Sequence, residues 1–164
     1  VMYMSIHQFP AFPGGGDADE TGEGLGKGYT INIPLPPNSG DEIFIDAFET
    51  FLPAAIEFKP DVVGISAGFD GHHQDLMTEL RFSVNSFYKI GRLIRENFNN
   101  IFAILEGGYN IDVFPKCLLN FLSAMNDEEM IYHEKETDSM IQVYYEYEGR
   151  IGLARNRLMR KWKS

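Results

Sequence analysis

Three polar segments combine side chains that can bind a metal or donate a proton with glycines that free the backbone. The first spans residues 5–17 (SIHQFPAFPGGGD), the second 66–75 (SAGFDGHHQD) and the third 105–110 (LEGGYN). In the second, Asp70 lies between glycines at the end of an apolar run, and glycines allow tight turns close to a ligand. In the third, Tyr109 follows two glycines, and a tyrosine hydroxyl held in a site can stabilise a developing oxyanion.

Taken one at a time, these residues favour structural roles. Asp70 alone is a turn former or helix cap rather than a metal ligand, and Tyr109 alone packs over a turn. Neighbouring side chains rarely point the same way, so His72 and His73 are interpreted as an exposed loop pair. The glycine-rich loop over residues 13–28 is not interpreted as a phosphate site. Its sequence matches neither the P-loop nor the dinucleotide pattern, and it carries four acidic residues between positions 17 and 23.

The elements around these segments indicate an α/β fold. Apolar runs predict strands, and apolar residues at helical spacing predict helices. The predicted strands are Val1–His7, Tyr29–Leu35, Asp61–Ala67 and Ile101–Leu105; the predicted helices run from Asp41 to before Pro60, and over Ser83–Phe98, Asp112–Met125 and Ser139–Lys163. Apolar strands that alternate with helices are typical of a parallel sheet covered on both faces. Ligands bind at the carboxyl ends of such strands, where all three segments lie.

Composition limits the function classes. A net charge of −10 argues against a dedicated nucleic-acid binder, and the basic cluster between Arg155 and Lys163 is confined to the chain end. No apolar run approaches the length of a membrane span and no signal peptide is visible, so we expect an intracellular, cytoplasmic protein. The single cysteine, Cys117, excludes an internal disulfide and a cysteine-based zinc cluster, and its apolar helical surroundings predict burial.

Together, the three segments resemble the histone deacetylase family, including its bacterial and archaeal members and the acetoin utilisation proteins. The matching stretches occur in the family's order and extend over about residues 1–126. The resemblance implies an arginase-type three-layer α/β sandwich. We therefore expect residues 1–126 to be the carboxy-terminal part of such a domain, with its amino-terminal half absent, and 127–164 to be an acidic connector and helical tail.

The resemblance also implies roles for individual residues in zinc-dependent hydrolysis of acetyl-lysine or a related acetylated amine. Asp70 falls on a zinc ligand and Tyr109 on the tyrosine that stabilises the transition state. Polyamine-selective relatives carry Glu at the position of Met77, so an apolar residue there favours acetyl-lysine as the substrate. The remaining implied positions are the substrate channel at Phe12, Met77, Gly107 and Gly108, and a structural potassium ion at Ser5 (hydroxyl) and Ile6 (carbonyl).

Part of the family's catalytic machinery has no match. Its Asp-x-His zinc motif and its paired histidines lie upstream of the region that Val1 begins, and the resemblance gives His72 no ligand role despite the Asp70-Gly71-His72 spacing. We therefore expect this chain alone to be inactive. A non-catalytic assembly or binding module is the alternative, and a two-metal ureohydrolase lacks its clustered Asp-x-His-x-Asp motif.

Overall fold

The computed structural model describes residues 1–162, except for the side chains of residues 157–161. The predicted end of the last helix at Lys163 lies outside the described residues. The elements are β1 (Tyr3–Gln8), a 3-10 turn (Gly24–Gly26), β2 (Thr30–Leu35), α1 (Asp41–Phe58), β3 (Val63–Gly68), α2 (Val84–Asn97), β4 (Ile101–Gly107), α3 (Phe114–Met125) and α4 (Ile141–Lys161). The predicted alternation of strands and helices is confirmed, with boundaries shifted by at most two residues.

The strands are parallel, as predicted, but in the described residues they form two separate pairs. β1 pairs with β2, with Ile6 opposite Ile33. β3 pairs with β4, and the register shifts between Ala67 and Gly68 so that Gly68 lies opposite Gly107. The fold is thus α/β with parallel strands, in the form of a partial domain.

The two strand pairs differ in burial. In β2, Ile31, Ile33 and Leu35 are buried and belong to the core. In β4, by contrast, Phe102 and Ile104 are 53% and 58% exposed. The expectation that Ile101–Leu105 is buried on both faces is therefore wrong. An apolar run indicates that a strand is suited to burial, but it does not identify the segment that packs against it.

The first helices begin at polar anchors. Ser83 caps α2 as its side chain accepts a hydrogen bond from the Asn85 N–H at 3.3 Å. Gly40, not Asp41, is the N-cap of α1. The buried Asp41 carboxylate instead accepts hydrogen bonds from the Ser83 N–H at 2.7 Å and the Thr137 N–H at 3.1 Å. Asp41 therefore joins the start of α1 to the start of α2 and to the connector.

The helical tail docks on the rest of the chain. Tyr147 of α4 is fully buried, and its hydroxyl donates to the Asp46 carboxylate of α1 at 2.5 Å. Ser139 Oγ accepts from the Gly40 N–H at 2.8 Å, which fixes the end of the connector. Ile151 and Ala154 are buried in the same core. A division of the chain at residue 126 stays a prediction.

Two further expectations concern burial and membranes. Cys117 is fully buried, as predicted, and burial raises the pKa of its thiol to about 12. In the part of the chain that is described, no helix has the length and apolar character needed to cross a membrane.

Candidate functional site

The three polar segments meet at the carboxyl ends of β1, β3 and β4. The Gln8 side-chain oxygen at the end of β1 accepts a hydrogen bond from the Glu79 N–H at 2.6 Å, which links the first segment to the loop after β3. A cavity of about 260 Å³ lies between them and is lined by Ile6 and His7 on one side and by Asp70 on the other. The first two segments thus border one cavity, whereas residues 105–110 are not among those that line it.

Asp70 lies against glycines of two strand ends. A Cβ atom built on Gly107 would lie 2.7 Å from Asp70 Oδ1, and one built on Gly68 would lie 3.1 Å from the same oxygen. Real Cβ atoms essentially never approach a polar atom to 2.7 Å. The paired glycines thus leave the space that the carboxylate fills, and they bring the end of β4 to the residue that follows β3.

The charge of Asp70 is poorly compensated. Burial raises the pKa of the Asp70 carboxyl, and the negative charge of Asp75 raises it further, although a backbone hydrogen bond opposes both. A half-buried carboxylate next to a second acid favours a bound cation, because the cation restores the electrostatic stabilisation lost with water. A cation bound at Asp70 would offset this unfavourable shift.

Asp75 anchors the backbone that carries Tyr109, and the sequence did not indicate this residue. Its Oδ2 accepts hydrogen bonds from the Tyr109 N–H at 2.6 Å and the Asn110 N–H at 2.9 Å, and its Oδ1 accepts from the Met77 N–H at 3.1 Å. Asp75 is only 5% exposed. Burial raises the pKa of its carboxyl, but the backbone hydrogen bonds outweigh burial and hold that pKa below its ordinary value.

The signal for Asp75 in the sequence is weak. It closes the segment 66–75, where an acidic residue in a polar loop is normally solvated. Its role depends on two amides more than thirty positions away, and no local spacing predicts such a contact. Asn110 completes the link between the segments, since its side-chain amide donates to the Gln74 carbonyl at 2.7 Å.

The phenol of Tyr109 projects outward. The residue is 60% exposed and its side chain is not among those that line the cavity with Asp70. The preceding Gly108 has a φ of +125°, and a Cβ there would lie 2.7 Å from the Phe114 ring. The loop therefore needs glycine both for its backbone conformation and for its packing, as the paired glycines of the sequence indicate.

His72, His73 and Glu134 form a second polar cluster, in which one nitrogen of each ring and a carboxylate oxygen lie within 4.8 Å of one another. His72 Nδ1 accepts a hydrogen bond from the Gln74 N–H at 3.1 Å, so the proton of the neutral ring is on Nε2. That nitrogen is 3.0 Å from Glu134 Oε2 and donates to it. The hydrogen bond ties the loop after β3 to the connector, and the donor atoms of the three side chains are close enough together to hold a metal ion.

The histidine pair is thus not an exposed loop pair. His72 is fully buried and His73 is half-buried. Burial lowers the pKa of His72, and the hydrogen bond with Glu134 opposes that shift only in part. The interpretation of both histidines as solvated loop residues is therefore wrong, because Glu134, more than 60 positions away, covers them.

The first segment is organised by His7. Its Nε2 donates to the Gly16 carbonyl at 2.9 Å, so its Nδ1 accepts from the Ser5 hydroxyl, also at 2.9 Å. The Ser5 hydroxyl is the donor in this hydrogen bond, so the bond does not use the lone pairs of its oxygen. Phe12 and Met77, the predicted channel residues, are 98% and 62% exposed. They lie at the outer surface of the site rather than in its cavity.

The donor set fits a share of a zinc site. Asp70 supplies one carboxylate, and zinc in catalytic sites is held by three protein ligands of the carboxylate, imidazole or thiolate type. Cys117 is buried in α3 with a raised pKa, and the histidine cluster is engaged in hydrogen bonds. Asp70 could supply one such ligand, and His72, His73 and Glu134 form a separate group of possible donors.

Residues 1–125 match the family model described as the histone deacetylase domain. A probable deacetylase of Archaeoglobus fulgidus is 37% identical over 132 residues, which cover 76% of this chain and 37% of that protein. The crystal structure of the HDA15 HD domain superposes with a TM-score of 0.81 at 25% identity and covers 98% of this chain and 44% of that one. An acetylpolyamine aminohydrolase from Burkholderia pseudomallei gives a TM-score of 0.72 at 29% identity, over 76% of this chain and 37% of that one.

These relatives are considerably longer than the region they share with this chain, which spans less than half of each. Residues 1–126 are about three quarters of the 164 residues. The 98% coverage by the HDA15 domain therefore includes most of the tail.

Proposed function

Because the chain belongs to the histone deacetylase family, we propose that it supplies part of the active site of a zinc-dependent deacetylase. Asp70 is a zinc ligand in this proposal and Tyr109 is the hydrogen-bond donor to the reacting carbonyl. The observation that carries the proposal is the position of the Asp70 carboxylate against Gly107, because it places the candidate ligand two residues from Tyr109 along β4 and its loop.

The proposed chemistry divides between the ion and the protein. Zinc supplies a Lewis acid that polarises the amide carbonyl and lowers the pKa of water. Asp70 holds its share of the ion at the edge of the sheet. The Tyr109 hydroxyl donates to the oxygen that gains charge in the transition state, a contribution worth about 3–4 kcal/mol for one such donor in other enzymes. Gly107 and Gly108 allow the backbone to approach the substrate.

The substrate class we propose is acetyl-lysine in a protein, with a small acetylated amine as the second choice. Phe12 and Met77 offer exposed apolar surface on which the uncharged lysine stem could pack, and Met77 is apolar where a polyamine ammonium would need a carboxylate.

The remaining zinc ligands and the general base are proposed to come from outside residues 1–164, since one carboxylate does not hold a catalytic zinc ion. On this proposal the chain alone does not hydrolyse acetyl-lysine. A structural potassium ion at Ser5 and Ile6 and a cytoplasmic location stay predictions. The hydrogen bonding of Ser5 is compatible with potassium because its oxygen lone pairs are unused.

The alternative, a non-catalytic assembly module, is favoured by one observation. β4 exposes apolar side chains such as Phe102 and Ile104 on a strand that belongs to the site. In that case the surface would serve binding alone, and the exposed Tyr109 would have no catalytic effect.

A chimera separates these functions. In it, this chain replaces the matching segment of the Archaeoglobus fulgidus relative, which supplies upstream sequence. If the relative hydrolyses an acetyl-lysine peptide, we expect the chimera to do so and the chain alone not to. Tyr109→Phe should then lower kcat by about 100-fold or more. The control Tyr145→Phe, at a 69% exposed position in α4, should leave kcat unchanged. Equal activity of the Tyr109 variant and the parent chimera would reject the catalytic role.

A further inference from the structure

The loop that carries Tyr109 is fixed from two sides. On one side Gly108 packs against the ring of Phe114 and the Cβ of Phe69, at distances that leave no room for a side chain. On the other side the Asp75 carboxylate accepts the consecutive N–H groups of Tyr109 and Asn110. The loop thus packs against apolar side chains on one side and is hydrogen-bonded to a buried carboxylate on the other.

The contact is reciprocal. Asp75 belongs to the loop after β3 and receives two amides from the loop after β4, while the side chain of Asn110 donates back to the Gln74 carbonyl at 2.7 Å. Three hydrogen bonds therefore join two loops that are otherwise separate in sequence. A carboxylate that accepts successive backbone amides forms strong, charge-assisted hydrogen bonds.

The charge of Asp75 does not serve surface solubility, because the residue is almost completely buried. A buried carboxylate is costly unless it is hydrogen-bonded, and here the two loop amides and the Met77 N–H satisfy both oxygens. The same charge contributes to the raised pKa of Asp70. Asp75 thus faces the backbone of the candidate proton donor and acts electrostatically on the candidate metal ligand.

We propose that Asp75 is a positioning residue that fixes the Tyr109 backbone relative to Asp70 and so determines where the phenol can reach. This inference rests on the proposed function for its catalytic consequence, but the clamp itself does not. Asp75 does not touch the reacting atoms. It acts through Tyr109, whose Cα–Cβ direction is set by the hydrogen-bonded backbone.

The clamp is tested on the full chain by amide hydrogen exchange and NMR, with Asp75→Asn as the variant and Asp112→Asn, an exposed acid of the same loop, as the control. In the Asp75 variant we expect amide exchange at Tyr109 and Asn110 to become about 10- to 100-fold faster. Loss of a hydrogen bond to a charged group raises the population of the exchange-competent open state by about this factor. Both amide protons should also shift upfield as the carboxylate acceptor is lost. Amides of α2 should keep their protection, and the control should change neither signal. Unchanged exchange and shifts at Tyr109 and Asn110 would overturn the clamp.

The catalytic consequence is tested in the chimera. We expect Asp75→Asn to lower kcat about tenfold or more while KM stays within about twofold. A misplaced Tyr109 hydroxyl reduces stabilisation of the transition state more than it reduces substrate binding. A kcat equal to that of the parent chimera, with protection lost at Tyr109, would overturn the positioning role. If the parent chimera is inactive although the relative is active, the proposed function fails instead, and the exchange result still decides the clamp.

Discussion

Replacing Gly107 by alanine should disturb Asp70 specifically. Gly107 does not have a positive φ, so its backbone accepts alanine without strain. The new Cβ, however, would lie 2.7 Å from Asp70 Oδ1 and 3.0 Å from its Cγ. One of the two must move, and overpacking of this kind costs about 1–3 kcal/mol. With a urea m-value of about 2 kcal/mol/M, the denaturation midpoint should fall by roughly 0.5–1.5 M.

A double-mutant cycle isolates the contact. In an Asp70→Ala background the carboxylate is absent, so Gly107→Ala should cost little, and the coupling between the two positions should be about 1–3 kcal/mol. Urea unfolding at low micromolar concentration measures all four proteins. Gly149→Ala in α4 is the control, because a Cβ added at that position would have no neighbour within 4 Å. Alanine there should stabilise the helix by about 0.5–1 kcal/mol. A coupling near zero would refute the close approach of Asp70 and Gly107.

Three other predictions concern the tail, pH and association. Tyr147→Phe removes a buried hydrogen bond to Asp46 and should lower the free energy of unfolding by about 1–2 kcal/mol in urea titrations, whereas Tyr145→Phe at an exposed position should stay within about 0.5 kcal/mol. Burial lowers the pKa of His72 in the folded chain below its ordinary 6.5. The unfolded chain therefore binds more protons, and the free energy of unfolding should fall as the pH drops below about 6.5. Urea unfolding between pH 7 and 5 should show this pH dependence, and His72→Gln should reduce it. Ile104→Lys should reduce self-association of the chain in sedimentation velocity, because it places a charge on the exposed face of β4; sedimentation identical to that of the parent chain would contradict this.

The order of the elements and the edge where the site lies follow from local sequence. Apolar runs such as Ile31–Leu35 form a buried strand. Ser83 caps α2 through its side-chain oxygen, as expected for a serine at this position. Because β3 and β4 pair in parallel, the segments that follow them lie at the same end of their sheet, and this proximity is predictable from the order of the elements. The position of the first segment depends on long-range contacts such as the hydrogen bond between Gln8 and Glu79.

Other features depend on contacts between distant positions. Glu134 covers His72 from the connector, and Asp75 holds the amide of Tyr109, yet neither acid is distinguishable in sequence from a solvated one. Asp41 is a residue type suited to capping its own helix but binds Ser83 instead. Burial and partnership of such polar residues are properties of the assembled fold, and no local periodicity encodes them.

The shared role of Asp70 and Tyr109 is tested most directly by zinc content in the chimera, measured by atomic absorption on Asp70→Asn and Tyr109→Phe, with Asp61→Asn at the other end of the β3 segment as the control. We expect the Asp70 variant to lose most of its zinc, the Tyr109 variant and the control to keep one ion per chain, and only the control to retain hydrolysis of an acetyl-lysine peptide. Full zinc occupancy in the Asp70 variant would contradict the assignment of Asp70 as a zinc ligand.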